Sequence, residues 1–401
     1  MNRVALSLLV FWACSLGAET APHATEKIGE ARALYDGRLD PQLLINTARN
    51  TDRLFSTRSV ARGPFMRELP RKSPAFTYFQ YAADGEVYDL YDYLAIGRVS
   101  GLLVLHAGEI AYENYLLGNG RETRWMSMSV VKSMTALLIG AAIKDGYIDS
   151  LDDQVVAYLP QFAGSAYDGV TVEHLLQMTS GVAWDETYTD PESDRRAMLE
   201  AQLAQTPGKI LELMASLPRA ARPGTRWNYN TGETHVAGAL VRQATGMPVA
   251  EYLSRKIWQP AGMESDAAWW LESPHGLEVG GSGLTATLRD YARFGLFMLQ
   301  EGKLDGKSVL PKGWMQQATR AQAINGETIP YGYMLWPMPD TAYAARGLYG
   351  QWVYVNPKRD VVIAMWSAQP KPTGKTGLDT YAFLESLAVA VDRFYGSAGS
   401  E

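Results

Sequence analysis

The sequence predicts an α+β fold: an antiparallel sheet flanked by helices, with an all-helical segment forming a second lobe. Three observations carry this reading. One hairpin pattern stands near residue 105, another near residue 357, and the stretch between them, over residues 158–278, has mainly helical apolar spacing. Strands near both ends of a chain with helices between them fit one sheet built from both ends, with the helical middle packed beside it.

Taken in order, residues 1–18 read as an export signal. Arg3 supplies a positive start, residues 4–12 form an apolar run of signal length, and Gly17 and Ala18 offer a small-residue cleavage site. That run is too short to span a bilayer, and no second long apolar run follows. The expectation is an exported protein, periplasmic or secreted, with no stable membrane insertion. The single cysteine, Cys14, falls inside the signal, so cleavage leaves no thiol, disulfide or cysteine metal site. Lipidation at Cys14 is the alternative, and bulky Trp12 fits it poorly.

Residues 19–95 mix Arg, Pro and Thr without periodicity and are expected to form an N-terminal extension packed on the body. The main domain is expected over residues 96–395. Residues 102–105 and 110–112 flank Ala107-Gly108-Glu109 as a hairpin. Residues 129–144 are apolar nearly all round, through Met134, Leu137, Leu138, Ile139 and Ile143, which marks a buried helix; Gly146 is its stop. Within the helical lobe, Val172, Leu175 and Leu176 lie at helical spacing, and residues 236–244 and 249–258 repeat the pattern. Residues 352–355 and 361–365 flank Asn356-Pro357 as a second hairpin. Phe383, Leu384, Leu387, Val391 and Phe394 then share one face of a C-terminal helix.

The net charge of -6, with no basic run, argues against a nucleic-acid partner. The five histidines are spread out and none forms a metal-spaced pair. There is no G-x-S-x-G elbow, H-E-x-x-H, Walker loop or G-x-G-x-x-G. What remains is Ser129-Val130-Val131-Lys132. Positions i and i+3 share a helix face, so hydroxyl and amine can touch. Serine needs a base to become a nucleophile, and burial in an apolar helix turns lysine into one by disfavouring the ammonium. Ser129, in the first turn, also has a free backbone N–H for a developing oxyanion.

The stretch Trp125-Met126-Ser127-Met128-Ser129-Val130-Val131-Lys132 resembles the nucleophile helix of class C β-lactamases and related esterases. Those families place a Tyr-x-Asn motif about 100 residues on and a Lys-Thr-Gly strand later still. Pro223-Gly224-Thr225-Arg226-Trp227-Asn228-Tyr229-Asn230-Thr231 matches the tyrosine segment, with Thr231 where the motif has asparagine. The resemblance makes Tyr229 the proton carrier to the leaving group; beside a lysine ammonium its phenol is expected to ionise more easily. A literal Lys375-Thr376-Gly377 follows the second hairpin and reads as a decoy. The better match is Ala345-Arg346-Gly347, just ahead of that hairpin. The motif cation is then missing, and strand alternation is expected to turn Arg346 to the other face. The Leu348 backbone N–H would complete the oxyanion hole with that of Ser129.

Over roughly residues 98–392 the chain resembles the 6-aminohexanoate-dimer hydrolase-like branch. The segments that carry this are His174-Leu175-Leu176-Gln177-Met178-Thr179, Tyr188-Thr189-Asp190-Pro191, Arg289-Asp290-Tyr291-Ala292-Arg293-Phe294-Gly295 and Arg346-Gly347-Leu348-Tyr349-Gly350-Gln351. The resemblance implies substrate contacts at Tyr188, Trp184, Thr231 and Gly347, and puts Gly281 where that branch uses an asparagine. Ser282, in the same Gly-rich run, has no base beside it in sequence. The implied activity is hydrolysis of a small ester or linear amide through an acyl-enzyme on Ser129, with no metal or organic cofactor. A β-lactamase or D-peptidase, a non-catalytic peptidoglycan- or peptide-binding relative and an acyltransferase are the alternatives.

Overall fold

A computed structural model of the chain describes residues 22–83, 85–374 and 378–397. The expected signal segment with Cys14, and the literal Lys375-Thr376-Gly377, lie outside the described residues.

The chain opens with α1 (Ala31–Tyr35) and β1 (Thr57–Val60). The first expected hairpin is β2 (Val99–His106) and β3 (Glu109–Tyr115), turning through Ala107 and Gly108, both at positive φ. β4 (Arg124–Met126) leads into α2 (Val130–Lys144). Shorter helices at Val172–Gln177, Asp194–Leu203 and Lys209–Ser216 precede α3 (Thr231–Thr245). There follow β5 (Ala267–Trp270), β6 (Leu284–Thr287), α4 (Leu288–Leu299), β7 (Trp336–Pro337) and β8 (Tyr343–Gly347). The second expected hairpin, β9 (Gln351–Asn356) and β10 (Val361–Ser367), and the C-terminal helix α5 (Thr380–Ser397) complete the order.

The main sheet runs β7-β8-β9-β10-β2-β3 and is antiparallel throughout. Its two halves meet where β10 pairs with β2, with Val361 opposite His106 and Met365 opposite Leu102. Alternation along β2 explains the layers. Leu103 and Leu105 enter the apolar cluster that holds α2 and α4, while Leu102 and Val104 enter the one that holds Phe383, Leu384 and Leu387 of α5. Each such side chain contributes about 1.5–3 kcal/mol relative to exposure.

Two expectations need correction and one gains detail. The lobe over residues 158–278 is not all-helical, because β5 lies inside it. β5 belongs to a four-stranded antiparallel sheet ordered β1-β5-β6-β4. Trp269 and Trp270 bury their rings on opposite faces of that strand, so both faces are apolar and no alternation marks it. The N-terminal extension is also more than a cover, since it donates β1, with Thr57 opposite Trp270. Phe394 does not join the buried face of α5: it stays 38% exposed and packs on Phe76 and Tyr395. Among the described residues, no helix is long and apolar enough to cross a membrane.

Candidate active site

The turn before α2 presents the serine. Met128 holds φ at 44°, a left-handed value for a residue with a side chain, of the kind that persists only where the surroundings over-determine it. Ser127 supplies that constraint: its N–H donates to the Leu284 carbonyl at 2.7 Å, and its hydroxyl accepts from the Leu284 N–H at 3.1 Å. Ser129 then occupies the helix N-cap, but with φ -72° and ψ -3° rather than an extended cap conformation, and its side chain caps nothing. The hydroxyl instead accepts from Lys132 Nζ at 3.0 Å, and Nζ also donates to the Gly281 carbonyl at 2.7 Å.

Lys132 is 1% exposed. Burial lowers its pKa from the ordinary 10.5 to about 7, against the opposing pull of the Glu186 carboxylate and with some help from the Arg195 cation. That shift brings the free base, the state a proton acceptor needs, within reach near neutral pH.

Tyr229 sits just ahead of α3, whose N-cap Asn230 accepts from the Glu233 N–H at 3.0 Å. Its hydroxyl is hydrogen-bonded to Ser129. Its ring centre lies 5.2 Å from Lys132 Nζ and packs among Trp227, Tyr331 and Trp336. Burial pushes the phenol's pKa well up, Glu186 adds to the effect, and the bond to Ser129 only partly opposes it. The expectation of an easily ionised tyrosine is therefore wrong. Burial outweighs the Ser129 hydrogen bond and the Arg346 and Arg195 cations, and the phenol keeps its proton at neutral pH.

β8 ends against the serine turn. A Cβ on Gly347 would stand 2.6 Å from the Ser127 carbonyl oxygen and 2.9 Å from the Ser129 nitrogen, so only glycine lets the strand come this close. Leu348 follows directly. The N–H groups of Ser129 and Leu348 donate to no group among the described residues. Gln351 holds the Leu348 turn: its Nε2 donates to the carbonyls of Leu348 at 3.2 Å and Ser367 at 2.8 Å, while its Oε1 accepts from the Trp125 indole at 2.9 Å.

These groups open into a cavity of about 980 Å³ lined by Ser129, Tyr229, Glu186, Tyr188, Gly347 and Leu348, and further out by Arg346, Trp336, Trp352 and Tyr381. Alternation along β8 holds, since Ala345 is buried on the α2 face while Arg346 lies on the other. The expected consequence does not follow, because that other face also lines the cavity. The Arg346 guanidinium lies 4.4 Å from the Trp336 ring centre and 5.4 Å from that of Trp352, and it donates to the Tyr381 hydroxyl.

The Beta-lactamase family model matches residues 93–387. The chain belongs to the beta-lactamase family. It is 29% identical over 292 residues to a 6-aminohexanoate-dimer hydrolase of Paenarthrobacter ureafaciens, covering 67% of this chain and 72% of that one. It is 32% identical over 149 residues to esterase EstB of Burkholderia gladioli, covering 35% of this chain and 38% of that one. A solved structure described as a candidate 6-aminohexanoate-dimer hydrolase from Bacillus anthracis superposes with a TM-score of 0.81 over 92% of this chain and 99% of its own, at 23% identity, which is a likeness of fold.

Within this beta-lactamase-family site, two expected substrate contacts are placed differently. Trp184 is buried and does not line the large cavity; its indole N–H donates to Glu186. Thr231 is 2% exposed and gives both its N–H, at 2.9 Å, and its hydroxyl to the same carboxylate. Both residues hold Glu186 rather than facing the cavity. Gly281 cannot be the branch's asparagine here. A Cβ would come within 2.8 Å of Thr231 and 3.2 Å of Lys132 Nζ. Ser282 buries a hydroxyl with no partner among the described residues, and no base is bonded to it. Glu186 itself went unpredicted. Its one trace in the sequence is the two-residue spacing of Trp184, Glu186 and Tyr188, which puts them on one side of an extended segment.

Proposed function

We propose that the protein is a serine hydrolase that cleaves small esters or linear amides through an acyl-enzyme on Ser129. The observation that carries this is the 3.0 Å contact between Ser129 Oγ and the Nζ of a buried Lys132 whose pKa falls to about 7. Lys132 takes the hydroxyl proton as Oγ attacks the substrate carbonyl carbon. The oxyanion takes hydrogen bonds from the N–H groups of Ser129 and Leu348. Tyr229, still protonated, gives its proton to the leaving alcohol or amine as the carbonyl re-forms, and regains one from Lys132. Water then attacks the acyl carbonyl with Lys132 as base, and Ser129 Oγ leaves with the proton. Tyr188 and Gly347 contact the substrate from the cavity wall. The relatives' names support the substrate class, one a 6-aminohexanoate-dimer hydrolase and one an esterase. The N-terminal residues 1–18 support export to the periplasm or medium.

The test is an activity-based fluorophosphonate probe on wild type and on Ser129→Ala. The expected result is one label on Ser129, with Ser129→Ala folded, unlabelled and without turnover. Residual turnover above roughly one part in 10³ of wild type, or a label on another residue, would refute the assignment.

A further inference from the structure

The family match begins at residue 93, yet a five-residue stretch far upstream of it bonds to both walls of the cavity. On one side, Tyr35 at the end of α1 is 2% exposed; its hydroxyl accepts from Arg195, whose guanidinium stacks 4.4 Å from the Tyr35 ring centre. Asp36 pairs with Arg196, which also donates to the Tyr188 carbonyl at 3.3 Å. The Arg195 N–H in turn donates to the Asp185 carbonyl at 3.0 Å. Tyr35 and Asp36 thus grip the segment that carries Glu186 and Tyr188. On the other side, the Leu34 carbonyl accepts from the Tyr349 hydroxyl, and the Gly37 carbonyl accepts from Lys371 Nζ at 3.0 Å. Tyr349 follows Leu348 directly, holds φ at 62°, and donates its N–H to the Pro372 carbonyl at 3.1 Å. A small cavity of about 10 Å³ behind the nucleophile is lined by Tyr35 and Arg195 together with Ser129, Tyr188 and Leu348.

Packing alone does not account for this arrangement. Arg195 is 3% exposed and has no carboxylate partner among the described residues; Tyr35 is its hydrogen-bond acceptor. A buried cation without a counter-charge costs stability. Here it sits where its charge acts on Lys132, Tyr188 and Tyr229.

We propose that residues 34–38 are a strap that ties the Glu186–Tyr188 segment to the Leu348 turn and seats Arg195 behind Ser129, with Tyr35 and Asp36 as positioning residues for the acyl transfer. This rests on the reading of Ser129 as nucleophile. The strap sets the spacing between nucleophile, oxyanion donors and the Tyr188 wall, and displacements of about 1 Å in such spacing cost up to about 10²-fold in rate.

The test uses the full chain with Tyr35→Phe, Asp36→Asn and Asp36→Glu, each checked for folding by thermal unfolding. On p-nitrophenyl acetate, kcat falls about tenfold or more in Tyr35→Phe and Asp36→Asn, with KM within about twofold, and Asp36→Glu recovers part of the loss. In Tyr35→Phe the acid limb of the kcat/KM profile moves to higher pH, because Arg195 no longer stands fixed near Lys132 while Glu186 still does. Amides of residues 185–193 and 348–351 exchange hydrogen faster in both deleting variants. Two results overturn the strap. One is folded variants with wild-type kcat, acid limb and exchange. The other is a kcat loss that only tracks a lowered unfolding midpoint, with limb and local exchange unchanged. Wild-type labelling by fluorophosphonate is read separately: if it fails, the nucleophile assignment falls, and the exchange measurement alone still decides the strap.

Discussion

Replacing Lys132 with methionine should abolish turnover and, at neutral pH, make the protein more stable. The fall of the lysine pKa from 10.5 to about 7 has burial as its main cause. At about 1.36 kcal/mol per tenfold change in proton affinity this corresponds to roughly 5 kcal/mol of destabilisation when the amine is charged in both states. Between about pH 7 and 10.5 the unfolded chain holds the proton and the folded chain does not, so stability rises with pH across that window. The burden is fully present below about pH 7, about 4 kcal/mol at pH 7, and under 1 kcal/mol by pH 10. Methionine removes it but leaves the Gly281 carbonyl and the Ser129 hydroxyl without their donor, at a cost of about 1–3 kcal/mol for a buried acceptor. The net is about 2 kcal/mol of stabilisation at pH 7, turning into a loss near pH 10. In a chain of this size that is a rise of on the order of 2–3 °C in the unfolding midpoint at pH 7. Thermal unfolding of both proteins from pH 6 to 10 measures it. The companion kinetic result in wild type is a kcat/KM that climbs about tenfold per pH unit below pH 7 and levels off above it. A variant less stable than wild type at pH 7, by an amount flat across the pH range, would show that Lys132 has an ordinary pKa and refute the base assignment.

Lys132→Arg should be nearly as inactive as the methionine variant, because arginine cannot give up its proton at working pH; an arginine variant with most of its kcat would reduce Lys132 to an electrostatic helper. Glu186→Gln should move the acid limb of kcat/KM to lower pH, because the carboxylate holds the lysine pKa up; an unmoved or raised limb, read on the folded variant, contradicts that role. p-Nitrophenyl acetate should be hydrolysed with a higher kcat/KM than a chromogenic cephalosporin. Ala345 offers no cation to a β-lactam carboxylate, and the Arg346 guanidinium is engaged by Trp336, Trp352 and Tyr381 on the outer wall; a charge-assisted hydrogen bond not made costs about 1.5–3 kcal/mol, roughly ten- to a hundred-fold. A cephalosporin value equal to or above the ester value would mean that Arg346 reaches the carboxylate from the outer wall.

How much of this was legible depended on whether the signal was local. The two hairpins and α2 were readable because alternation and all-round apolarity are properties of neighbouring residues. Ser129, Lys132 and Tyr229 were readable because their motifs are short. β5 was not: Trp269 and Trp270 are buried on both faces, and their partner β1 comes from more than 200 residues upstream. Arg195 and Tyr35 were not, because each looks like an ordinary helix residue and their contact spans 160 positions. Tyr229 shows the same limit in its chemistry. Its sequence neighbourhood names a nearby amine but not the burial that raises its pKa.

That burial also explains how one pocket holds a neutral amine able to accept a proton beside a phenol able to donate one. Taking an ionisable group out of water favours its neutral form. For Lys132 the neutral form is the one that accepts a proton, and for Tyr229 it is the one that donates. The same dry surroundings therefore move the two pKa values in opposite directions, the lysine down to about 7 and the tyrosine well up. Groups driven apart in this way are the ones suited to acid and base roles at one pH. Glu186 and Arg195 act on both residues with opposite signs, Glu186 the more strongly, and burial remains the largest influence on each. The walls that exclude water are then part of the proposed acid–base chemistry. A segment that holds those walls together, as residues 34–38 are proposed to do, acts on the reaction without touching the substrate.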